Sequence, residues 1–380
     1  MSKKIDVVVV GAGFVGLWAS IALSRHGLSV TLVDSKTWEI IESYVPNNIF
    51  ALTDYVYTAL LEHGISVKAC PVESMQIGTV KHFPALSLGE SCQVRPIAWT
   101  VSALDLWKAL VAKIKEENII CRTEFSVSRC LLSHDSVQLI DKHGSSIDAE
   151  LVLAADGSHS WLRNYFNIPC IHKNQILPAK TAVFPINWKD QDPITARQWF
   201  GDKFGVIAFL PYAGTSYSAC CVWSLPAKHY LWNDDNPSWG EALCGFLGID
   251  SSALTVAGDI YCYDIEEYIT PVVGQRCVLL GNAAYSVHPL AGQGLNIGFR
   301  GVLHLSGVLG NRPSFRPVFD ASILRAYGRK SEIEARKWSF VTRSLWYASS
   351  NSISLEILLR GLLLTDQFVF AKNWFVRCAQ

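Results

Sequence analysis

Three short clusters hold the residue types and spacings with chemistry to offer. The first is Gly11-Ala12-Gly13-Phe14-Val15-Gly16, a G-x-G-x-x-G spacing between an apolar β-branched run and an amphipathic stretch. Gly11 allows a tight turn, Gly13 lets the backbone approach a pyrophosphate, and Gly16 lets helix and strand pack closely. Free N–H groups and the dipole at the helix start then hold the phosphates. Asp34 ends the next apolar run, where an acid can accept hydrogen bonds from a ribose diol. A bare glycine triplet is equally a tight turn before a helix. Strand, helix and terminal acid in register point instead to a dinucleotide.

The second cluster is Asp156-Gly157-Ser158-His159-Ser160-Trp161-Leu162-Arg163, a strand end, a glycine turn and a helix start with an arginine in its first turns. Alone it reads equally well as a capped helix with a solvated arginine. The third is Gly281-Asn282-Ala283-Ala284-Tyr285-Ser286-Val287-His288-Pro289-Leu290-Ala291-Gly292-Gln293-Gly294-Leu295-Asn296. A buried strand ends at Gly281, and Asn282 can hydrogen-bond a polyol. Pro289 stiffens the approach to Gly292-Gln293-Gly294, which opens another helix. Backbone N–H groups at that helix start suit an acceptor that becomes negative, such as the N1–C2=O edge of a reduced flavin. The glycines leave room for a flat ring.

The elements that must position these clusters follow from pattern. Ile5 to Val10 reads as a strand covered on both faces, followed by a helix to His26 stopped by Gly27. Leu28 to Val33 is the second strand of a parallel β-α-β unit with a right-handed crossover. A helix is expected from Ala51 to Gly64 and another from Ser102 to Glu117. Strands are expected around residues 70–100, Ile119 to Val127, Ser136 to Ile140, Leu151 to Ala154 and Arg276 to Leu280. From Ala182 to Leu225 the chain alternates β-rich runs and turns, as in antiparallel sheet. Beyond Phe319 the pattern is helical, with Gly361 as its main interruption.

Bulk properties exclude several classes. At 380 residues, half of them apolar and 17% charged, the chain can bury a large core and is not a disordered tail. Its 33 basic and 33 acidic residues leave no net field to recruit nucleic acid, and no nucleic-acid partner is expected. Eleven cysteines without C-x-x-C spacing suggest neither zinc nor a disulfide framework, and no metal is expected. The N-terminal apolar run enters a glycine turn rather than a cleavage site, and no apolar run reaches about eighteen residues, so a cytoplasmic protein is expected.

The three clusters in this order resemble the aromatic-ring flavin monooxygenases with one dinucleotide-binding domain, and within them the ubiquinone-biosynthesis hydroxylases. Thr195-Ala196-Arg197-Gln198-Trp199-Phe200, Gly205 and Ala208 to Pro211 resemble that subgroup's sheet. The tail is similar as well, with Tyr327-Gly328-Arg329, Leu355 to Asp366 including Arg360, and Lys372.

The resemblance implies an α/β fold: a Rossmann-like FAD-binding domain with an inserted mixed or antiparallel substrate sheet and C-terminal helices. Residues 1–70, 98–170 and 271–310 would form the discontinuous FAD domain, 71–97 and 171–270 the substrate domain, and 311–380 the helical region. Gly11 to Gly16 and Asp34 would hold the ADP half of FAD, with Val127 at the adenine. Asp156, Gly157 and Arg163 match a motif linked to FAD and NAD(P)H. Gly281 and Asn282 would meet the ribitol, and Pro289, Gly292, Gln293, Gly294, Leu295 and Asn296 would line the isoalloxazine.

The implied reaction is hydroxylation of a phenol by NAD(P)H and O2 through a C4a-hydroperoxyflavin. The implied substrate is a polyprenylphenol on the way to ubiquinone. His288, before Pro289, is the residue placed to accept or relay the phenol proton near neutral pH. The pattern departs from the family at Asn48 and Ala103, where cofactor-facing side chains are usual, and at Gly301. These departures keep a second reading open: a non-catalytic or weakly FAD-binding scaffold subunit. A third reading, a flavin halogenase or a prenyl reductase, shares the cofactor fold, and the halogenase is disfavoured because no W-x-W-x-I-P stretch is present. A homo-oligomer, a biosynthetic complex and peripheral contact with the inner membrane through Leu355 to Phe375, with Arg360, Lys372 and Arg377, are left open.

Overall fold

A computed structural model describes residues 5–46, 48–89, 96–172, 178–202, 204–212, 218–232 and 238–379, the side chains of 172, 291, 374, 375 and 377–379 excepted. Its centre is the parallel sheet that the first strand organises. Ile5–Val10 lies between Val30–Val33 and Ser146–Ala154, parallel to both, with Val7 opposite Val30 and Leu151. Ile120–Arg122 extends one side and Cys277–Leu279 the other, again parallel. Val7, Val8 and Val9 are fully buried, as a β-branched run covered on both faces should be. The helix Phe14–Arg25 covers one face, packed on the helices Ala103–Glu116 and Gln293–Gly310. Gly27 ends it at a positive φ and donates its N–H to Ser24.

A second sheet of eight strands runs Leu254–Val256, Ala179–Trp188, Ala219–Pro226, Gly205–Pro211, Thr195–Gly201, Ser74–Thr79 and Leu86–Leu88, with Tyr261–Asp264 also on Ala179–Trp188. Its pairs are antiparallel except Thr195–Gly201 with Ser74–Thr79, which makes it a mixed sheet. One face buries Trp199, Phe209 and Trp223 against the helix Trp239–Leu247. The other carries Phe200 and Val206 toward the C-terminal helices, and Val183 and Val222 toward Ile49 of a separate three-stranded sheet.

Local readings needed three corrections. Ala51 and Leu52 belong to a strand, Ile49–Leu52, paired with Ala98–Ser102, and the helix starts only at Asp54, capped by the Thr53 hydroxyl. The strand ending at Ala154 begins at Ser146, because its first half pairs with the hairpin strand Val137–Asp141. Gly361 interrupts nothing, lying inside Ser352–Asp366. The helical tail breaks instead where the Asn351 side chain caps that helix, after Ala321–Ala348, and again before Val369–Ala379. One interior glycine costs a helix about 1 kcal/mol, too little to end one that is packed.

Candidate functional site

The glycines of the first loop divide into two kinds. Gly11 has φ +104°, and a Cβ there would fall on the Ala155 carbonyl; a Cβ on Gly16 would fall on the Gly11 carbonyl oxygen. These two set the turn and the close approach of helix and strand. Gly13 has ordinary extended backbone, and a Cβ there would meet nothing within 4 Å. It faces open space. Asp34 clamps the loop from behind, its carboxylate accepting the Ala12 N–H at 2.7 Å and the Lys36 N–H at 2.8 Å. Each oxygen keeps a second acceptor position for a ribose hydroxyl.

The second cluster leaves the neighbouring strand end. Gly157 takes φ +85° with open space where a Cβ would stand. Asp156 accepts the Leu162 N–H at 3.2 Å through Oδ2, while Oδ1 is buried without a partner. Burial raises this carboxyl's pKa, opposed by hydrogen bonds from Ser160 and backbone N–H groups. Arg163 is not solvated. It is 7% exposed, and its guanidinium donates to the carbonyls of Ala283 (3.0 Å) and Ser158 (2.6 Å) and lies over the Tyr268 ring. Tyr268, its pKa pushed up to about 12 by burial, donates its hydroxyl to the Asn282 carbonyl at 2.5 Å. Arg163 and Tyr268 therefore lock the Gly157 turn to the Gly281 turn.

The third cluster supplies the floor. A Cβ on Gly281 would meet the Val15 side chain, so this turn packs on the first loop, while Asn282 lines the crevice. Gly292 takes the left-handed conformation that starts the helix Gln293–Gly310, and Gly294 again has open space. Asn296 pins this helix start. Its Oδ1 accepts the Thr53 N–H at 2.9 Å, and its Nδ2 donates to the carbonyls of Ala51 (2.8 Å) and Gly292 (3.1 Å). Gln293 is buried beneath.

One crevice of about 630 Å³ joins these parts. It runs from Gly13, Phe14 and Val15 past Gly157 and Asn282 to Pro289, Gly292, Gly294 and Leu295. Ile49, Val183, Leu210 and Val222 form an apolar wall from the two neighbouring sheets. An extended dinucleotide fits this shape: the open positions at Gly13, Gly157 and Gly294 are where side chains would fill it. Asn48 lines the crevice, its carbonyl accepting the Ala103 N–H at 2.8 Å, and Ala103 is fully buried with no reach into it. Gly11, Ala12, Gly16, Asp34, Asp156, Arg163, Gln293 and Asn296 are not among the lining residues. Val127 opens the strand Val127–Leu132 and is not part of the lining either, although Phe125 donates its N–H to the Asp34 carbonyl nearby.

His288 differs from expectation. It is 2% exposed, stacked on Trp346 with ring centroids 4.9 Å apart, and lies outside the crevice lining. Burial pushes its pKa down to about 3, which favours the neutral ring near pH 7. Sequence reasoning missed Trp346, Tyr268 and the apolar wall. The strand alternation at Val183 and Val222 is visible, but nothing local says what faces them.

A family model described as FAD binding domain matches residues 4–312. The 3-demethoxyubiquinol 3-hydroxylase of Escherichia coli is 26% identical over 385 residues, covering 95% of this chain and 94% of that one. Ubiquinone hydroxylase UbiM of Neisseria meningitidis is 24% identical, covering 96% and 81%. Among solved structures, Klebsiella pneumoniae HpxO complexed with FAD and uric acid superposes with a TM-score of 0.76 at 17% identity, covering 100% of this chain and 98% of that one.

Proposed function

The chain belongs to the FAD binding domain family, as an FAD-dependent aromatic-ring hydroxylase, and on that premise we propose that it uses NAD(P)H and O2 to hydroxylate a polyprenylphenol in ubiquinone biosynthesis. One observation carries the reading. The crevice that begins at the glycine loop ends at a helix start rich in glycine, opposite the apolar wall of Val183, Leu210 and Val222. A flat, electron-accepting ring and an aromatic substrate can be stacked there.

In this reading Gly13 and the helix start behind it hold the pyrophosphate, Asp34 the ribose, and Asn282 the ribitol. FAD, reduced by NAD(P)H, supplies the oxygen activation. Gly294 and Leu295, in the first turn of the helix Gln293–Gly310 and in the crevice lining, would offer the helix-start dipole to the edge of the ring that gains charge. The apolar wall excludes water and orients the phenol. The balance is phenol, O2, NAD(P)H and a proton in; hydroxylated phenol, water and NAD(P)+ out. His288 keeps its own proton and shapes the loop that presents Pro289.

The test is turnover of a polyprenylphenol by the FAD-loaded protein under isotope-labelled dioxygen. One labelled oxygen in the product, by mass spectrometry, is expected. Flavin-loaded protein that returns all of its reducing equivalents as peroxide would contradict the proposal.

A second reading, a weakly FAD-binding scaffold subunit, is favoured by Asn48 and Ala103, which bring no cation to the crevice. Protein that cannot be reconstituted with FAD would select it. We further propose peripheral membrane contact through the last helices, where Ile353, Ile357, Leu364, Phe368 and Phe370 are exposed around Arg360. Among the described residues no helix is long and apolar enough to cross a membrane.

A further inference from the structure

A second cavity, of about 350 Å³, lies between the eight-stranded sheet and the last turn of the helix Ala321–Ala348. Pro178, Gly205, Pro226, Ala227 and the Trp346 ring line it. Its polar neighbours are turned away. The hydroxyls of Ser349 and Ser350 donate to the carbonyls of Trp346 (2.8 Å) and Tyr347 (2.6 Å), and the Asp202 carboxylate accepts the Ser352 hydroxyl at 2.8 Å. Besides that carboxylate, the Lys228 ammonium is the charged group among the lining residues. Such a cavity offers an occupant apolar contact and few hydrogen bonds, which selects hydrocarbon.

Trp346 lines this cavity, and one side of its ring stacks on His288, the residue that precedes Pro289 of the flavin crevice. Its edge reaches Gly205, where a Cβ would come within 3.2 Å of Cζ3. Gly205 takes φ +65° and lies against the Ser224 carbonyl, so the sheet presents no side chain where the ring meets it. Beneath the ring, His288 Nδ1 accepts the Leu290 N–H at 3.4 Å, which puts the imidazole proton on Nε2, and Nε2 is buried without a partner. A covered donor with no acceptor disfavours the closed arrangement.

We propose that this cavity is a second subsite that takes the apolar, isoprenoid-class tail of the phenol whose ring occupies the first crevice, with Trp346 as the movable partition between them. A swing of the Trp346 ring joins the two spaces and uncovers the His288 Nε2–H for an oxygen on the substrate ring. The inference rests on the polyprenylphenol reading for its ligand, and its test does not require turnover.

The probe is geranylgeraniol, an isoprenoid chain with no phenol, titrated calorimetrically into the FAD-loaded protein. Ala227→Phe and Ser350→Phe fill the cavity from two different elements. Each is expected to weaken geranylgeraniol by about tenfold or more, while affinities for FAD and for a tail-less phenol stay within about twofold. Retained FAD affinity certifies the fold of each variant. A co-crystal with the unaltered protein is expected to place the chain between Ala227 and Trp346. Unchanged geranylgeraniol affinity in folded variants, or a chain bound on the outer helices instead, would overturn the subsite. If the chain binds here and the variants block it, yet no phenol is hydroxylated, the subsite stands and the hydroxylase reading falls.

Discussion

Gly13 and Gly16 look interchangeable in the motif and are opposites in the molecule. A Cβ at Gly13 enters the crevice, whereas one at Gly16 enters the Gly11 carbonyl. Gly13→Ala is therefore expected to fold with nearly unchanged thermal stability and to lose about tenfold or more in FAD affinity. Gly16→Ala is expected to lose about 1–3 kcal/mol or more of stability by overpacking. Calorimetric titration and thermal melts separate the two, and equal effects on both readouts would refute the assignment. His288 carries a pH signature. Its folded pKa of about 3 lies below an unfolded value of about 6.5, so the unfolded chain binds the extra proton between them. The stability held by the neutral ring is present above about pH 6.5 and is lost as pH falls toward about 3. On going from about pH 7 to about pH 5, His288→Gln should lose about 2 kcal/mol less than the unaltered protein in urea denaturation. Equal acid sensitivity would show that His288 is not buried neutral. The glycine roles were legible because a spacing encodes a turn. The state of His288 was not, because it is set by Trp346, brought over it from the end of a distant helix.

At the scale of elements, the site depends on one helix start held against one strand end. Asn296 makes that joint, satisfying Thr53, Ala51 and Gly292 backbone groups with a single amide. Asn296→Ala leaves the Thr53 N–H and the Ala51 carbonyl unpaired, at about 1–3 kcal/mol for each that stays buried. The expected outcome is lower stability together with weaker FAD binding, measured by melts and flavin titration. A stable variant with unchanged FAD affinity would contradict the joint. Element type was readable from periodicity wherever one partner face decided it, as in Ile5–Val10 and Phe14–Arg25. It failed at Ala51, where pairing with Ala98–Ser102 overrides a helical pattern, and at Gly361, where packing carries the helix through a glycine.

The whole molecule gathers the first sheet, the second sheet and the strand Ile49–Leu52 around one crevice, and the C-terminal helix Ser352–Asp366 packs on the strands Ser74–Thr79 and Leu86–Leu88 of the second sheet. Asp366 fastens that packing, accepting both the Ser87 N–H (2.8 Å) and the Lys372 ammonium (2.7 Å). Outside the fastening, Ile353, Ile357 and Leu364 share one helix face with Arg360. Sedimentation with liposomes of anionic lipid should carry the protein down, and Ile357→Asp with Leu364→Asp should release it. No association with any liposome would end the membrane proposal. The order of the three clusters was enough to expect the cofactor fold, because each marks a strand end of one sheet. The second cavity and the wall of Val183 and Val222 come from strands far apart in sequence, and no local pattern announces them. The most direct measurement is the visible flavin band of the purified protein mixed rapidly with NADH or NADPH. The account predicts a bound flavin that bleaches faster when a prenylated phenol is present. Colourless protein that stays colourless in excess FAD would contradict it.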